Sequence, residues 1–411
     1  MIYVNELYKN KIYNILIFAY FFFIFFHKHH IFEKFSYIKI SELIFLILFF
    51  FYIIFDSKKI LNRIDNIDLL LLTWPTLNLF QFFLNSGNYY GFLSSIYVFS
   101  IYLIFKNLLL DIGQNKIIKL FIFCLVFYSS ISIIGWSLAQ LKIYFNLVEY
   151  KDGWPIYLFE RYRSIGFMPT PNMLFFYLSF GFLIIQNFTF KFKKLKLSIL
   201  FLGIFFTFSK SLILFLLLFL MPFIVYYKNK HLNKIYFLTL IILILIFNFL
   251  TNFVIHSKNS SFLNNLDHKD YIDRSNKPIL ETNNFTINKS TYLQIKIKSF
   301  QIIKENFFLG IGYDNFKSYN VEGHEFVFGY KPHSSVLGLI VENGIFALII
   351  FSTIIYHSLK INLRQKNYYF ISVITFLIFE AINMDVHYFK IIWIFFPFLF
   401  YSKWNKKIIK I

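Results

Sequence analysis

The sequence predicts an all-α, polytopic integral membrane protein with about 12 transmembrane helices and a large extramembrane loop between spans 9 and 10. Three observations carry this. Of 411 residues, 58% are hydrophobic and only 15% charged, with mean hydropathy +0.60, more apolar surface than a soluble chain of this length can hide. Apolar runs of roughly 16–22 residues recur along the chain, the length a helix needs to cross a bilayer. Lys-rich loops alternate with loops that carry little or no Lys or Arg, a pattern that sets topology.

Taken in order, the spans are expected near 12–26, 40–55, 68–85, 90–105, 117–138, 172–188, 195–208, 211–227, 234–255, 335–358, 367–383 and 387–401. Only Ser209 and Lys210 separate the seventh from the eighth. The loops at 56–66, 106–119, 189–196, 228–234 and 359–366 are rich in Lys, as are both termini, whereas 86–89 and 384–386 contain no Lys or Arg. Both termini are therefore expected in the cytoplasm, with 139–171 and 256–334 on the outer face. The loop at 27–39, with Lys28, Lys34 and Lys39, departs from the alternation. Three units follow: residues 1–255 with spans 1–9 and an outer loop near 139–171, the large outer loop 256–334, and residues 335–411 with spans 10–12 and a cytoplasmic tail. Residues 256–290 are polar and rich in Asn and Ser, and a short helix is expected over 291–306.

Composition also excludes some readings. The excess of Phe (61), Tyr (29) and Lys over Arg is what AT-rich coding produces and carries no functional message. The net charge of +20 does not indicate nucleic-acid binding, because most basic residues fall in short loops where they meet anionic lipid headgroups. The single cysteine, Cys124, lies in a span, so no internal disulfide is expected. The first apolar run lacks a small-residue cleavage site and reads as a span rather than a cleavable signal peptide.

The chemistry centres on Lys331-Pro332-His333-Ser334-Ser335, where a polar loop meets the tenth span. Pro332 stiffens the approach, and Ser334 or Ser335 can cap the first turn. The unsatisfied N–H groups and positive dipole end of that helix favour an anion and disfavour an imidazolium. His333 is thus expected to be a neutral base beside a bound phosphate. In a chain that uses Lys almost everywhere, Arg161, Arg163 and Arg274 on the outer side stand out, since a guanidinium fork holds two phosphate oxygens at once. Interfacial anchoring remains open for Arg161 and Arg274. Arg163 is followed by Gly166, which permits a tight backbone, and by Pro171-Asn172, where Asn172 can cap the next helix. Lys210, in its very short turn, either reaches lipid headgroups or supplies a second cation for a lipid diphosphate.

Phe308–Phe316 contains Gly310 and Gly312 but lacks the third glycine and following helix of a nucleotide loop. A tight turn that sets Asp314 and Asn315 near the mouth of the site is expected instead. Within the tenth span, Ser335, Gly338 and Glu342 share a face, and small residues there allow close helix packing. Glu342 points away from His333 and is read as a structural ion pair or hydrogen bond. Glu380, Asp385 and His387, near the outer end of the eleventh span, are candidates to line the same cavity.

Together these residues resemble the O-antigen ligase and O-antigen polymerase superfamily of bacterial membrane glycan-building proteins. The shared signature is a histidine, a small polar residue, nine residues and a glycine: His333-Ser334, 335–343, Gly344. A second family glycine three residues on is Ala347 here. Arg163, Gly166, Pro171 and Asn172 match a further pattern. Ser209-Lys210 stands where a Ser-Arg is common, and Lys296 or Lys298, Gly310, Gly312 and Phe316 look similar to the segment before the histidine. The resemblance implies a metal-independent, inverting glycan transfer without cofactor, on the periplasmic face of the inner membrane. The donor it implies is a glycan on undecaprenyl diphosphate. The acceptor is lipid A-core in a ligase, or another lipid-linked repeat unit in a polymerase. His333 would be the catalytic base, Arg163, Lys210, Arg161 and Arg274 the diphosphate-binding candidates, and Ser334, Gly166, Asn172, Gly310, Gly312, Glu342 and Gly344 the supporting ones. A protein O-oligosaccharyltransferase of the same superfamily, or a non-enzymatic lipid-glycan transporter, are the competing readings.

Overall fold

A computed structural model describes residues 6–26, 39–84, 89–150, 162–209, 211–226, 279–322 and 327–400, with scattered positions between 238 and 257. The chain is mostly helical, in order α1 (Glu6–Phe23), α2 (Ile40–Asn62), α3 (Asn66–Phe83), α4 (Tyr89–Ile112), α5 (Gln114–Gln140), α6 (Pro171–Ile185), α7 (Lys193–Phe205), α8 (Leu212–Tyr226), α9 (Thr291–Asn306), α10 (Ser335–Arg364), α11 (Tyr368–Asn383) and α12 (Lys390–Phe400). Two small antiparallel sheets interrupt them. One pairs β1 (Val148–Tyr150) with β2 (Tyr162–Ser164). The other sets β5 (Phe285–Lys289) between β3 (Phe253–Ser257) and β4 (Leu280–Glu281).

The all-α membrane architecture stands, while the described residues support fewer spans than the twelve expected. Among the described residues four helices are long and apolar enough to cross a membrane: α2, α4 from Gly91, α5 and α10. α6, α11 and α12 are apolar but shorter. The reason is length: the 15 residues of α6 reach about 22 Å, short of a hydrocarbon core of roughly 30 Å. A helix that is apolar on every side needs a dry surrounding, which protein supplies as well as lipid does. From Met173 to Ile185 every residue of α6 is buried, whereas α2 turns Leu46, Ile47, Phe50 and Ile54 outward. Hydropathy alone cannot separate the two cases. The ninth expected span, 234–255, lies largely outside the described residues, and its end at Phe253 belongs to β3 instead.

Aromatic packing fills the centre. Trp74 of α3 stacks on Trp393 of α12 at 5.3 Å, Phe121 of α5 meets Phe395 at 4.4 Å, and Phe176 of α6 stacks on Phe376 of α11 at 5.6 Å. These contacts seat the short helices between the long ones. α9 packs along α10, so the extramembrane segment before His333 rests on the helix that follows it. The expected helix over 291–306 is α9, capped by Ser290, whose Oγ accepts the Leu293 N–H.

Candidate active site

Ser334 caps α10. Its backbone is extended and its Oγ accepts the Leu337 N–H at 3.3 Å. His333 just before it adopts φ +51°, a left-handed conformation that costs energy for a residue with a side chain. Asp385 holds that conformation. Its two carboxylate oxygens accept the N–H of His333 and of Ser334, each at 3.1 Å. Ser335 adds two bonds, donating from its N–H and its Oγ to the Met384 carbonyl at 3.0 and 2.9 Å. The turn after α11 therefore clamps the start of α10. Gly338, one turn further, allows this close approach: a Cβ there would come within 3.3 Å of His387 Cε1.

The imidazole lies against Tyr292 of α9, edge to face at 5.3 Å, and near Tyr330 at 6.4 Å. Burial lowers the pKa of His333 below that of an ordinary histidine, and the Lys331 ammonium lowers it further. Asp385 pulls the other way. Burial raises the pKa of Asp385 above that of an ordinary aspartate, against the stabilising pull of His333, Lys331 and the two N–H groups. Burial thus acts in the same direction as the positive end of the helix dipole, both favouring the neutral imidazole. Lys331 lies 3.7 Å from Asp314, which also pairs with Lys317 at 2.6 Å, so the turn after Gly312 does reach the mouth of this site.

Gly310, Gly312, Glu342 and Gly344 form a second constellation. α10 breaks at Gly344, with φ +75° and ψ 178°, a region open to glycine alone. The break exposes the carbonyls of Val341 and Glu342, and the segment from Phe307 covers them. Ile311 N–H donates to Val341 at 2.8 Å, Gly312 N–H to Glu342 at 2.9 Å, and Ile345 N–H to Phe307 at 3.0 Å. Any Cβ on Gly344 would collide with the Phe308 carbonyl, and one on Gly310 would sit 2.6 Å from the Glu342 carbonyl carbon. A buried polar knot lies beside the break. Asn343 Nδ2 donates to Asn78 Oδ1 at 2.6 Å and to Gln81 Oε1 at 3.3 Å, and Trp74 Nε1 donates to Asn343 Oδ1. The sequence reading passed over this knot, although Asn78, Gln81 and Asn343 are polar residues inside apolar runs and could have signalled it.

Arg163 sits on β2, opposite Glu149 of β1, and is 7% exposed. Its Nε donates to the Thr207 carbonyl and its Nη2 to Asn172 Oδ1, both at 3.0 Å. Ser209 also donates to Asn172 Oδ1, at 3.4 Å. One expectation is corrected here. Asn172 does not cap α6; Thr170 does, its Oγ1 accepting the Met173 N–H at 3.3 Å, with Pro171 in the first turn. That frees the Asn172 amide to fix the guanidinium. Gly166, at φ +53°, makes the tight turn expected of it, with its N–H and that of Ile165 both donating to the Leu147 carbonyl.

The structure thus brings together Arg163, Gly166 and Asn172; His333 and Ser334 with Asp385; and Gly310, Gly312, Glu342 and Gly344. The first two groups occupy separate clusters bridged by packing of α6 on α11, with Phe176 meeting Phe376 and, at 5.0 Å, Phe389. Arg161, Lys210 and Arg274 lie outside the described residues.

With this geometry in view, comparison with known proteins supports one reading. Residues 195–352 match the family model described as O-antigen ligase. The match supports the O-antigen ligase and polymerase superfamily over this part of the chain. The matched O-antigen ligase segment holds Gly310, Gly312, His333, Ser334, Glu342 and Gly344; Arg163 precedes it and Asp385 follows it. It supports a membrane enzyme of the glycan ligase or polymerase type. None of the curated proteins compared matches the chain.

Proposed function

We propose that the chain is an O-antigen ligase-like glycosyltransferase, moving a glycan from undecaprenyl diphosphate to an acceptor hydroxyl, that of lipid A-core, on the periplasmic face of the bacterial inner membrane. The observation that carries this reading is the setting of His333: a half-buried imidazole, shifted toward its neutral form, on a backbone that Asp385 fixes at the first turn of α10. In the proposed step His333 takes the proton of the acceptor hydroxyl as its oxygen attacks the anomeric carbon. The bond from that carbon to the phosphate oxygen breaks, and the electron pair leaves with the lipid diphosphate. Attack opposite the leaving group inverts the anomeric centre.

Charge grows on the departing phosphate oxygen, so a fixed cation in a poorly solvated place lowers the barrier most. Arg163 fits that role because Thr207 and Asn172 hold its planar head in one orientation. Lys210, Arg161 and Arg274 are proposed to add to it. A polymerase would use the same donor and base and differ only in its acceptor, a second lipid-linked repeat unit.

His333→Ala, inserted at normal abundance, is expected to lose surface glycan assembly by about 100-fold or more, the scale of a removed general base. Full surface glycan in that variant would overturn the assignment. Arg163→Lys is expected to lose far more activity than Arg364→Lys, since Arg364 is exposed at the end of α10. Equal activities would remove the diphosphate role.

A further inference from the structure

Residues 307–313 leave the end of α9 and cross α10 at its break, instead of passing over the start of that helix. Their far end reaches deep into the bundle. The Tyr313 ring lies 6.4 Å from that of Trp74, halfway along α3, and its hydroxyl is 3.0 Å from Ser94 Oγ of α4. Gly91 of α4 makes room for it, since a Cβ there would collide with Tyr313 Cβ. The near end does the opposite. Phe307 and Phe308 are exposed, Phe308 by 65%, although their backbone is fastened to α10 at Gly344 and Ile345.

Irregular backbone survives at membrane depth only where protein pairs its polar groups, and this stretch is paired. Besides the bonds across the break, Gly310 N–H donates to the Asn306 carbonyl at 2.9 Å and Asn315 Nδ2 to the Ile311 carbonyl at 2.8 Å. Gln81 of α3 donates to the carbonyls of Leu309 and Glu342. Two helices give the level of these contacts. α3 starts beside Lys106, which pairs with Asp65 and Asp68, and its 18 residues rise about 27 Å to Phe83. Past the break, α10 rises about 30 Å from Ile345 to Arg364. Both lengths match a hydrocarbon core of roughly 30 Å. With Arg364 and the Lys106 pairs at one boundary, Gln81 and Gly344 fall near the other. Phe80, Phe83 and Leu84 of α3 and Phe346 and Ile349 of α10 are exposed around that level, and Phe307 and Phe308 continue the same apolar surface.

We propose that residues 307–313 form a re-entrant segment, with Phe307 and Phe308 set among lipid chains at the membrane boundary on the His333 side and Tyr313 packed inside the bundle. The partner of the two phenylalanines is the bilayer itself, in which aromatic rings favour the boundary level. The consequence reaches the site. Asp314 follows Tyr313 directly and lies 3.7 Å from Lys331, two residues before His333. The loop that leads into α10 is thereby tied to the membrane surface as well as to protein. A re-entrant position is independent of the transfer reading above, and holds equally for a ligase, a polymerase or a transporter.

The test is nitroxide labelling of the full chain in phosphatidylcholine nanodiscs, at Phe307→Cys and Phe308→Cys in turn. Cys124 stays in place because it is buried, and the unsubstituted chain serves as the blank. Relaxation of the label by oxygen, which concentrates in lipid, is compared with relaxation by the chromium oxalate anion, which stays in water. The oxygen-to-chromium ratio at both positions should approach that of Ile349→Cys on α10, itself 54% exposed. It should exceed that of Glu305→Cys, exposed at the end of α9, by about tenfold or more, given what a charge costs inside hydrocarbon. A ratio at 308 no higher than at 305 overturns the re-entrant position. Disulfide-linked dimers formed through Phe308→Cys assign the face to a second copy of the chain and overturn it too. Phe308→Trp keeps a large ring should the cysteine variants fold poorly. Its added fluorescence over the parent should be quenched by lipids brominated near the headgroup and spared by aqueous iodide, and the reverse pattern overturns the proposal.

Discussion

Helix α2 joins two charged regions that are built on opposite plans. At its Asn62 end the charges close on one another. Asp56 accepts from Lys9 at 3.0 Å, Lys59 at 2.9 Å and Tyr13 at 2.7 Å; Asp111 accepts from Arg63 and Tyr52, each at 2.8 Å; and Lys106 lies between Asp65 and Asp68. At its Ile40 end Asp385 spends both oxygens on the N–H groups of His333 and Ser334, and Glu42 is divided between Lys390 and a helix start. The first region matches four carboxylates with four cations, as a structural network does where water is scarce. The second spends its carboxylates largely on backbone N–H groups, and so fixes the turn that carries His333. The contrast yields a rule for this molecule: damage at the Asn62 end should appear in stability, and damage at the Ile40 end in chemistry.

The largest effect is expected from Lys106→Met. Lys106 and Asp68 are both almost completely buried, so removing the ammonium leaves a carboxylate stranded. Breaking a buried pair in this way costs about 3–5 kcal/mol. Thermal denaturation in detergent should show a large loss of stability, while activity per folded molecule stays near the parent value. Preserved stability would break the comparison at its structural end.

Asp385→Asn probes the other end and is expected to act on rate. The amide can accept only one of the two N–H bonds and sets its own N–H against the other. Losing one bond to a charged group corresponds to about 10–100-fold in turnover. The sign of the pH effect follows from the charges that face His333, Asp385 raising its pKa and Lys331 lowering it. Without the carboxylate charge the imidazole stays neutral to lower pH. Since the base works in its neutral form, the acid limb of the activity profile should move toward lower pH. A slower enzyme with an unmoved limb would make Asp385 a backbone clamp and nothing more.

How much of this was legible in the sequence depended on whether the cue was local. The short helix α9, the cap at Ser334, the turn at Gly166 and the association of Arg163 with Asn172 followed from neighbours within a few residues. The spacing from His333 to Gly344 was also visible, but its cause was not. It places the break in α10 where the segment from Phe307 to Gly312 crosses, a contact made across a gap in sequence that spacing cannot reveal. The strands of the sheet β3-β5-β4 had no clean alternation to announce them. The count of spans goes beyond what hydropathy can fix, because burial among helices and burial in lipid select the same side chains, as α6 and α2 demonstrate. The role of Asp385 was hidden for a simpler reason: its partners are backbone N–H groups some fifty residues earlier.

Arg63→Gln should have the smallest effect and sharpens the rule most. Read from the sequence alone, Arg63 is a loop cation that helps set topology. In the structure its Nη2 lies 2.8 Å from Asp111, and Nη1 approaches the carbonyl and side chain of Asn107 at 3.4 Å. The guanidinium is 29% exposed, and Asp111 keeps Tyr52 and Lys59 when it is gone. An ion pair in that position is worth about 0.2–1 kcal/mol. The glutamine variant should therefore show a slightly lower melting temperature, more evident at low salt, with unchanged glycan assembly. A loss of activity without a loss of stability would mean that the closed network at the Asn62 end is coupled to chemistry at the far end of α2. The division between a structural and a functional end would then fail.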